Sequence, residues 1–209
     1  MGRDAPANPI PEKYYSRFKY RLEEYSKKYP KRNLMIFYIG VGTGYRGQDI
    51  MDLTIGDLRN AIENEKFVIQ EKKQYEAWLT YMQENPNSKR KRPKPREAII
   101  ESRLKRLLKD FVKGKSNSEY AFPSNKTGEH ITSKSYSDIL AEVGRSLGLK
   151  HISGHSMRKT YAHRLWESTR NIEYVRDALG HTDIETTKKY LGIGDEIKVK
   201  AARIADDRL

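Results

Sequence analysis

The chain has 209 residues, no cysteine, and 41 Lys+Arg against 28 Asp+Glu, for a net charge of +13. That length fits one domain with at most a small appendage, and the cationic excess favours a polyanionic partner whose neutralised phosphates release counterions. The missing cysteines exclude a disulfide scaffold and cysteine–zinc sites and fit a reducing cytoplasm.

No run approaches the ~20 apolar residues that span a bilayer. The start, Met1-Gly2-Arg3-Asp4-Ala5-Pro6, has neither the apolar stretch of a signal peptide nor a myristoylation pattern. The expectation is a soluble cytoplasmic protein with no membrane partner. Hydrophobic residues are only 36% of the chain, but Ile, Leu, Tyr and Val recur periodically, which argues against wholesale disorder.

Pro6, Pro9 and Pro11 mark an irregular lead-in. Helical spacing of Tyr14, Phe18, Leu22 and Tyr25 predicts a helix from Glu12 to about Lys28, stopped by Pro30. Asn33 can cap a second helix so broadly apolar, from Leu34 to Val41, that it should be nearly buried. Gly40, Gly42, Gly44 and Gly47 then break the chain around Arg46 in a turn matching neither the Walker nor the dinucleotide pattern. A short helix is expected over Gln48–Leu53 and another helix start at Thr54–Leu58.

Lys66–Gln70 has strand character, Glu71-Lys72-Lys73 closes it, and Gln74–Glu84 reads as a helix with Tyr75, Trp78, Leu79 and Met82 on one face. A basic, proline-punctuated run, Lys89-Arg90-Lys91-Arg92-Pro93-Lys94, leads to a second strand at Ala98–Ile100. An amphipathic helix over Glu101–Val112 ends at Gly114. After an extended piece at Tyr120–Asn125, Thr132 or Ser133 caps a helix that Gly148 ends, and Ser153 precedes the next. Asn171 caps a helix stopped by Gly180, and Asp183 caps the one carrying Tyr190. Gly192 and Gly194 loosen the chain before a last helix, Asp195 to about Asp206. The fold class is mainly α with a small antiparallel β-sheet (α+β).

Singly, the polar residues of the C-terminal half specify nothing. A His-x-x-Arg puts two side chains on one helix face and is common, and His181 after a glycine stop is an ordinary dipole cap. Tyr190 is one of fourteen tyrosines. Arg46 in its glycine turn could simply be a local salt-bridge partner.

Together they are specific. Gly154-His155-Ser156-Met157-Arg158-Lys159-Thr160, Leu179-Gly180-His181 and Thr186-Thr187-Lys188-Lys189-Tyr190-Leu191-Gly192-Ile193 resemble the tyrosine recombinase/phage integrase family. Thr43-Gly44-Tyr45-Arg46-Gly47-Gln48-Asp49 resembles the segment holding that family's first arginine, with Asp49 at its usual acidic position. The resemblance runs over residues 33–194. It implies the family's catalytic-domain fold, with 1–32 as a remnant of a core-binding region and 195–209 as a helix docking in cis or in trans on a neighbouring protomer.

It also implies roles. Arg46 and Arg158 would grip the scissile phosphate, as the charged, bidentate guanidinium suits. His155 and His181 would hydrogen-bond it, and one of them would help deprotonate Tyr190, whose hydroxyl would attack phosphorus to give a 3′-phosphotyrosyl bond and a free 5′-hydroxyl. The bond stores the phosphodiester energy, so the reaction needs neither metal nor ATP nor other cofactor. The general-acid lysine falls at the end of the first strand, where Lys73 fits the spacing better than Lys72. The inserted helix leaves Lys89 and Lys91 as alternatives.

Candidate backbone contacts are Lys72, Lys89, Arg90, Lys91, Arg92, Lys134, Arg145, Lys159 and Arg164. The implied partner is double-stranded DNA at a specific recombination site, bound by a monomer that becomes a homo-tetramer on DNA, with accessory DNA-bending proteins. The competing functions are a type IB topoisomerase-like relaxing activity and a non-catalytic DNA-binding regulator of the same fold.

Overall fold

A computed structural model describes residues 7–126 and 128–207, the side chains of 195–198 apart. Helices α1 (Glu12–Glu24), α2 (Pro30–Thr43), the short α3 (Gly47–Ile50) and α4 (Ile55–Asn64) lead to a two-stranded antiparallel hairpin, β1 (Lys66–Ile69) and β2 (Arg96–Ile99). Helix α5 (Lys72–Glu84) is inserted between the strands. Helices α6 (Ser102–Phe111), α7 (Ser133–Ser146), α8 (Gly154–Thr169), α9 (Ile172–Leu179), α10 (Ile184–Leu191) and α11 (Ile193–Asp206) complete the chain. The expected mainly α architecture with a small antiparallel sheet is what the chain forms.

Helix α2 is central because it is apolar nearly all round: Met35, Ile36, Phe37, Ile39 and Val41 are all buried. It packs against α1, α6 and α8. Phe18 and Leu22 of α1 and Ile10 before it join this same cluster, and Phe18 stacks on Phe37 at 5.5 Å. Residues 10–22, within the segment expected to be a remnant, therefore pack into the main core. A second cluster forms around Ala162, Val175, Leu179, Leu191 and Ile193, where α8 to α11 meet. Helix α8 contributes Met157 to the first cluster and Ala162 to the second.

Pro30 does not merely stop α1; it starts α2 from the first turn, where its missing N–H costs nothing. Asn33 is consequently not a cap but a buried residue inside α2. Its Oδ1 accepts from the Arg32 guanidinium, and its carbonyl accepts from Tyr136 Oη at 2.7 Å. The caps expected at Thr132, Asn171 and Asp183 are in place, and Thr54 and Ser153 cap the helices that begin after them. Gly194 lies inside α11, not in a linker. The lead-in through Pro6 lies outside the described residues.

The hairpin pairs Lys66 with Ile99 and Ile69 with Arg96, so β2 begins two residues earlier than its apolar run suggests. Phe67 and Ala98 point inward and are buried, while Val68 and Ile99 face out. Helix α5 begins at Lys72, and none of its residues is fully buried. Its aromatic face is covered by its own basic loop: Tyr75 stacks on Trp78, Trp78 Nε1 donates to the Arg90 carbonyl, and Arg90 and Arg92 lie over Tyr81 and Tyr75. No helix among the described residues is long and apolar enough to cross a membrane.

Candidate active site

Four helix ends and the hairpin deliver the site. At the C-terminus of α2, Gly44 takes φ +67°, and a Cβ there would stand 2.4 Å from the Tyr161 ring. Only glycine allows this turn, which aims Arg46 inward. A capping box at Ser153 starts α8: the Ser153 hydroxyl accepts from the His155 N–H, and the Ser153 N–H donates to Ser156 Oγ at 3.0 Å. That start sets His155 in the first turn and Arg158 one turn later on the same face. Helix α9 stops at Gly180, φ +65°, whose missing side chain leaves room for Arg96 and Glu71. Asp183 then caps α10, accepting from Thr186 N at 2.7 Å, and Tyr190 falls in its last turn.

Arg46, His155, Arg158, His181 and Tyr190 do come together. Arg158, whose side chain is 2% exposed, donates to the carbonyls of Gly44 and Leu179, both at 2.6 Å. Arg46 keeps an open face, with 19% of its side chain exposed. Both reach the same carboxylate oxygen, Glu71 Oε1, at 2.7 Å from Arg46 and 3.0 Å from Arg158. The Tyr190 ring packs edge-on against His181 at 5.5 Å between centroids, with Lys159 Nζ 5.3 Å from its own centroid.

Two cavities meet at Arg46 and Lys73. One, of about 440 Å³, is lined by His181, Trp78, Arg90 and Lys91 among others. The other, of about 390 Å³, is lined by His155, Arg158, Ser133 and Lys134 among others. Lys73 lies on the wall they share. Lys72, in the same first turn of α5, points elsewhere: its Nζ donates to the Gln48 carbonyl and to Asp52, each at 2.7 Å. Its own N–H donates to Asp49 Oδ1 at 2.9 Å, so the buried Asp49 anchors the turn that carries both lysines.

The electrostatics follow from crowding cations in a half-dry space. Burial, then repulsion from Arg158 and Arg46, brings His181 down to about 4. Loss of solvent, then Arg46, Lys73, Arg158 and Lys159, lowers His155 as well. Both imidazoles are neutral at pH 7. Thr187 Oγ1 lies 3.0 Å from His181 Nδ1 and 3.4 Å from the Asp183 carbonyl, so this hydroxyl fixes the ring through Nδ1. Burial pushes Tyr190 up to about 12 although Arg158 and Arg46 pull it down. Its hydroxyl is buried without a hydrogen-bond partner of good geometry. Burial lowers Arg158 to about 10, so it remains charged.

Of the expected backbone contacts, Arg90 and Lys91 line the first cavity, Lys134 the second, and Lys159 borders Tyr190. Lys89 and Arg92 are exposed on the insertion's basic loop. Arg145 is exposed on α7 and lines neither cavity. Arg164 pairs with Glu12 at 2.8 Å and lies over Tyr15, lining a separate cavity. Arg145, Arg164 and Lys72 thus stand apart from the gathered residues.

Sequence reasoning missed Glu71 and Arg96. Glu71 is fully buried, and Arg96 Nε lies 3.7 Å from its Oε1. A lone carboxylate at a strand end next to a cationic motif was the one available signal.

Residues 17–196 match the phage integrase family model. The probable integrase/recombinase YoeC of Bacillus subtilis is 28% identical over 87% of this chain and 88% of its own length. Tyrosine recombinase XerD of Rickettsia prowazekii is 32% identical over 40% of this chain and 28% of its own. The solved structure of the XerH site-specific recombinase bound to difH substrate superposes with a TM-score of 0.62 at 20% identity. That match covers 88% of this chain and 50% of the recombinase.

Proposed function

The chain belongs to the phage integrase family, and we propose that it is a site-specific tyrosine recombinase that cuts and rejoins double-stranded DNA through Tyr190. One observation carries the reading: both arginines and both histidines line two adjoining cationic cavities, with Lys73 on the shared wall and Tyr190 packed edge-on against His181. A non-catalytic DNA-binding protein has no physical need for all six.

Arg46 meets the scissile phosphate first, because its guanidinium is the accessible one, and Arg158 supports it from beneath. Tyr190 Oη attacks phosphorus while the neutral His181 or His155 takes the phenolic proton. The phosphorus–oxygen bond to the 5′-oxygen breaks, and Lys73 supplies that oxygen's proton. The products are a 3′-phosphotyrosyl linkage and a 5′-hydroxyl, which reverses the step when a 5′-hydroxyl attacks. Charged donors held in place before the phosphorane forms stabilise it without reorganisation.

The resting geometry supports a nucleophile held back until DNA arrives. A phenol pushed up to about 12 is a poor attacker, and a phosphate seated on Arg46 must bring Tyr190 forward from its buried position. Helix α11 supports assembly into a multimer on DNA. Its described side chains from residue 199 to 206 are exposed, Val199 and Ile204 each by 53%, whereas Ile193 at its start is buried. That profile suits docking on a second copy.

The test is a library of nicked duplexes of randomised sequence, incubated with the protein in chelator and recovered as SDS-resistant protein–DNA adducts. Wild type is expected to yield adducts enriched in one sequence class, and Tyr190→Phe none. Adducts from Tyr190→Phe, or cleavage only when divalent metal is restored, would sink the assignment. Relaxation of any supercoiled plasmid, without sequence enrichment, would favour the topoisomerase-like alternative.

A further inference from the structure

Two arginines perform the same unusual task side by side. Arg158 donates to the carbonyls of Gly44 and Leu179, each at 2.6 Å. Arg96 donates to the carbonyls immediately before them in sequence, Thr43 at 3.0 Å and Ala178 at 3.1 Å. Those four carbonyls belong to the C-terminal ends of α2 and α9, where helix acceptors lack in-helix donors and the dipole favours a cation. One end leads into Arg46 and the other into His181. The guanidiniums therefore staple together the two segments that supply the front of the site.

Between them lies Glu71, 1% exposed, its Oε1 shared by Arg46, Arg158 and Arg96. Arg96 is fixed from its other side by stacking on the buried Tyr45 ring at 3.8 Å, while Tyr45 Oη donates to the Arg96 carbonyl. Three guanidiniums around one carboxylate leave the cluster cationic. It is thus compensated enough to stay folded when empty and still short of the negative charge that a phosphate brings.

We propose that Glu71 and Arg96 are positioning residues for strand cutting: the carboxylate orients Arg46 and Arg158, and Arg96 locks the Arg46 and His181 segments in register before DNA binds. Neither needs to touch the substrate. The hairpin, whose insertion faces outward, thereby supplies the brace of the site from its inner end. The rate consequences rest on the strand-cutting reading above, but the arrangement of the guanidiniums does not.

Two measurements on Glu71→Gln and Arg96→Lys test this. With a nicked duplex selected by wild type, adduct formation at saturating DNA should fall on the order of 100-fold per folded molecule. The half-saturating DNA concentration should stay where it is or fall, because a negative charge has been removed. Glu71→Asp, which keeps the carboxylate, should recover part of the rate.

The second measurement needs no DNA: side-chain ¹⁵N NMR of the guanidiniums. Wild-type Arg46 and Arg158 should give restrained, slowly exchanging Nε–H signals, and Glu71→Gln should broaden or lose both. Wild-type rates at saturating DNA in either variant, or unchanged guanidinium signals in Glu71→Gln, overturn the proposal. If wild type forms no adduct, the strand-cutting reading has failed, and the NMR comparison still decides the positioning.

Discussion

The molecule holds its cations in two contrasting ways. In the arginine centre, Arg158 and its neighbours sit in a nearly dry space where each charge is answered by carbonyls or by Glu71. In the insertion between β1 and β2, Arg90 and Arg92 rest on Tyr81 and Tyr75 in the open, and no carboxylate pairs with them among the described residues. A buried charge without partners costs several kcal/mol, whereas an exposed one on an aromatic face gains ~0.5–1 kcal/mol. The first region has therefore spent its freedom on geometry. The second keeps its charge exposed to a polyanion.

The sharpest way to break this comparison is Arg158→Ala. It would strip donors from the carbonyls of Gly44 and Leu179 and leave Glu71 buried with a weaker set of cations. Removing one member of a buried ionic network costs about 3–5 kcal/mol, so urea unfolding should register a loss of that size together with abolished adduct formation. An Arg158→Ala protein of near-wild-type stability would mean that the centre is solvated and that the contrast is false.

Next in size is Gly180→Ala. The left-handed φ of +65° costs a Cβ-bearing residue about 1–2 kcal/mol, and the new methyl would stand 3.2 Å from Arg96 Cδ. Stability should fall by about that amount, with a larger proportional loss of adduct formation as the His181 segment shifts against Arg96. Equal losses in both would reduce Gly180 to a helix stop.

How much of this was legible in the sequence differs between the two regions. The five gathered residues sit in local contexts that fix them: a capping box before His155, a glycine stop before His181, an Asp cap ahead of Tyr190. Each position depends on neighbours within a few residues. Glu71 and Arg96 depend on the register of a hairpin whose strands are separated by 26 residues, from 70 to 95; only the carboxylate's place at a strand end marks Glu71 locally, and nothing local marks Arg96. The same distance explains the insertion. Its spacing marks one helix face, yet Arg92 and Arg90 lie over Tyr75 and Tyr81 across a loop, a pairing without a sequence period. Pro30 misled for another reason: a proline between two helical patterns reads equally as a stop or a start, and tertiary packing of α2 against α1 decides.

On the insertion, Arg90→Ala with Arg92→Ala should leave stability within ~0.5 kcal/mol of wild type, as expected of exposed positions. DNA affinity should weaken similarly for all sequences, and the slope of log affinity against log salt should drop by about 2 if both side chains neutralise phosphates. An unchanged salt slope would remove the insertion from the DNA-facing surface and leave it a scaffold for the cavity wall alone.

The smallest effect separates the regions by pH. His181 is brought from its ordinary value near 6.5 down to about 4, first by burial and then by Arg158 and Arg46. Between those values the unfolded chain binds a proton that the folded protein refuses, so stability must fall as the solution is acidified through that window and is unaffected by this group above it. His181 is half-buried, so solvent screening keeps the contribution modest. Urea midpoints measured from pH 7 to pH 4 should therefore decline less steeply for His181→Asn than for wild type, whereas the Arg90→Ala, Arg92→Ala protein should track wild type. Parallel curves for His181→Asn and wild type would mean that the cationic field of the centre does not reach the imidazole, and with it the neutral base assigned to His181 would lose its support.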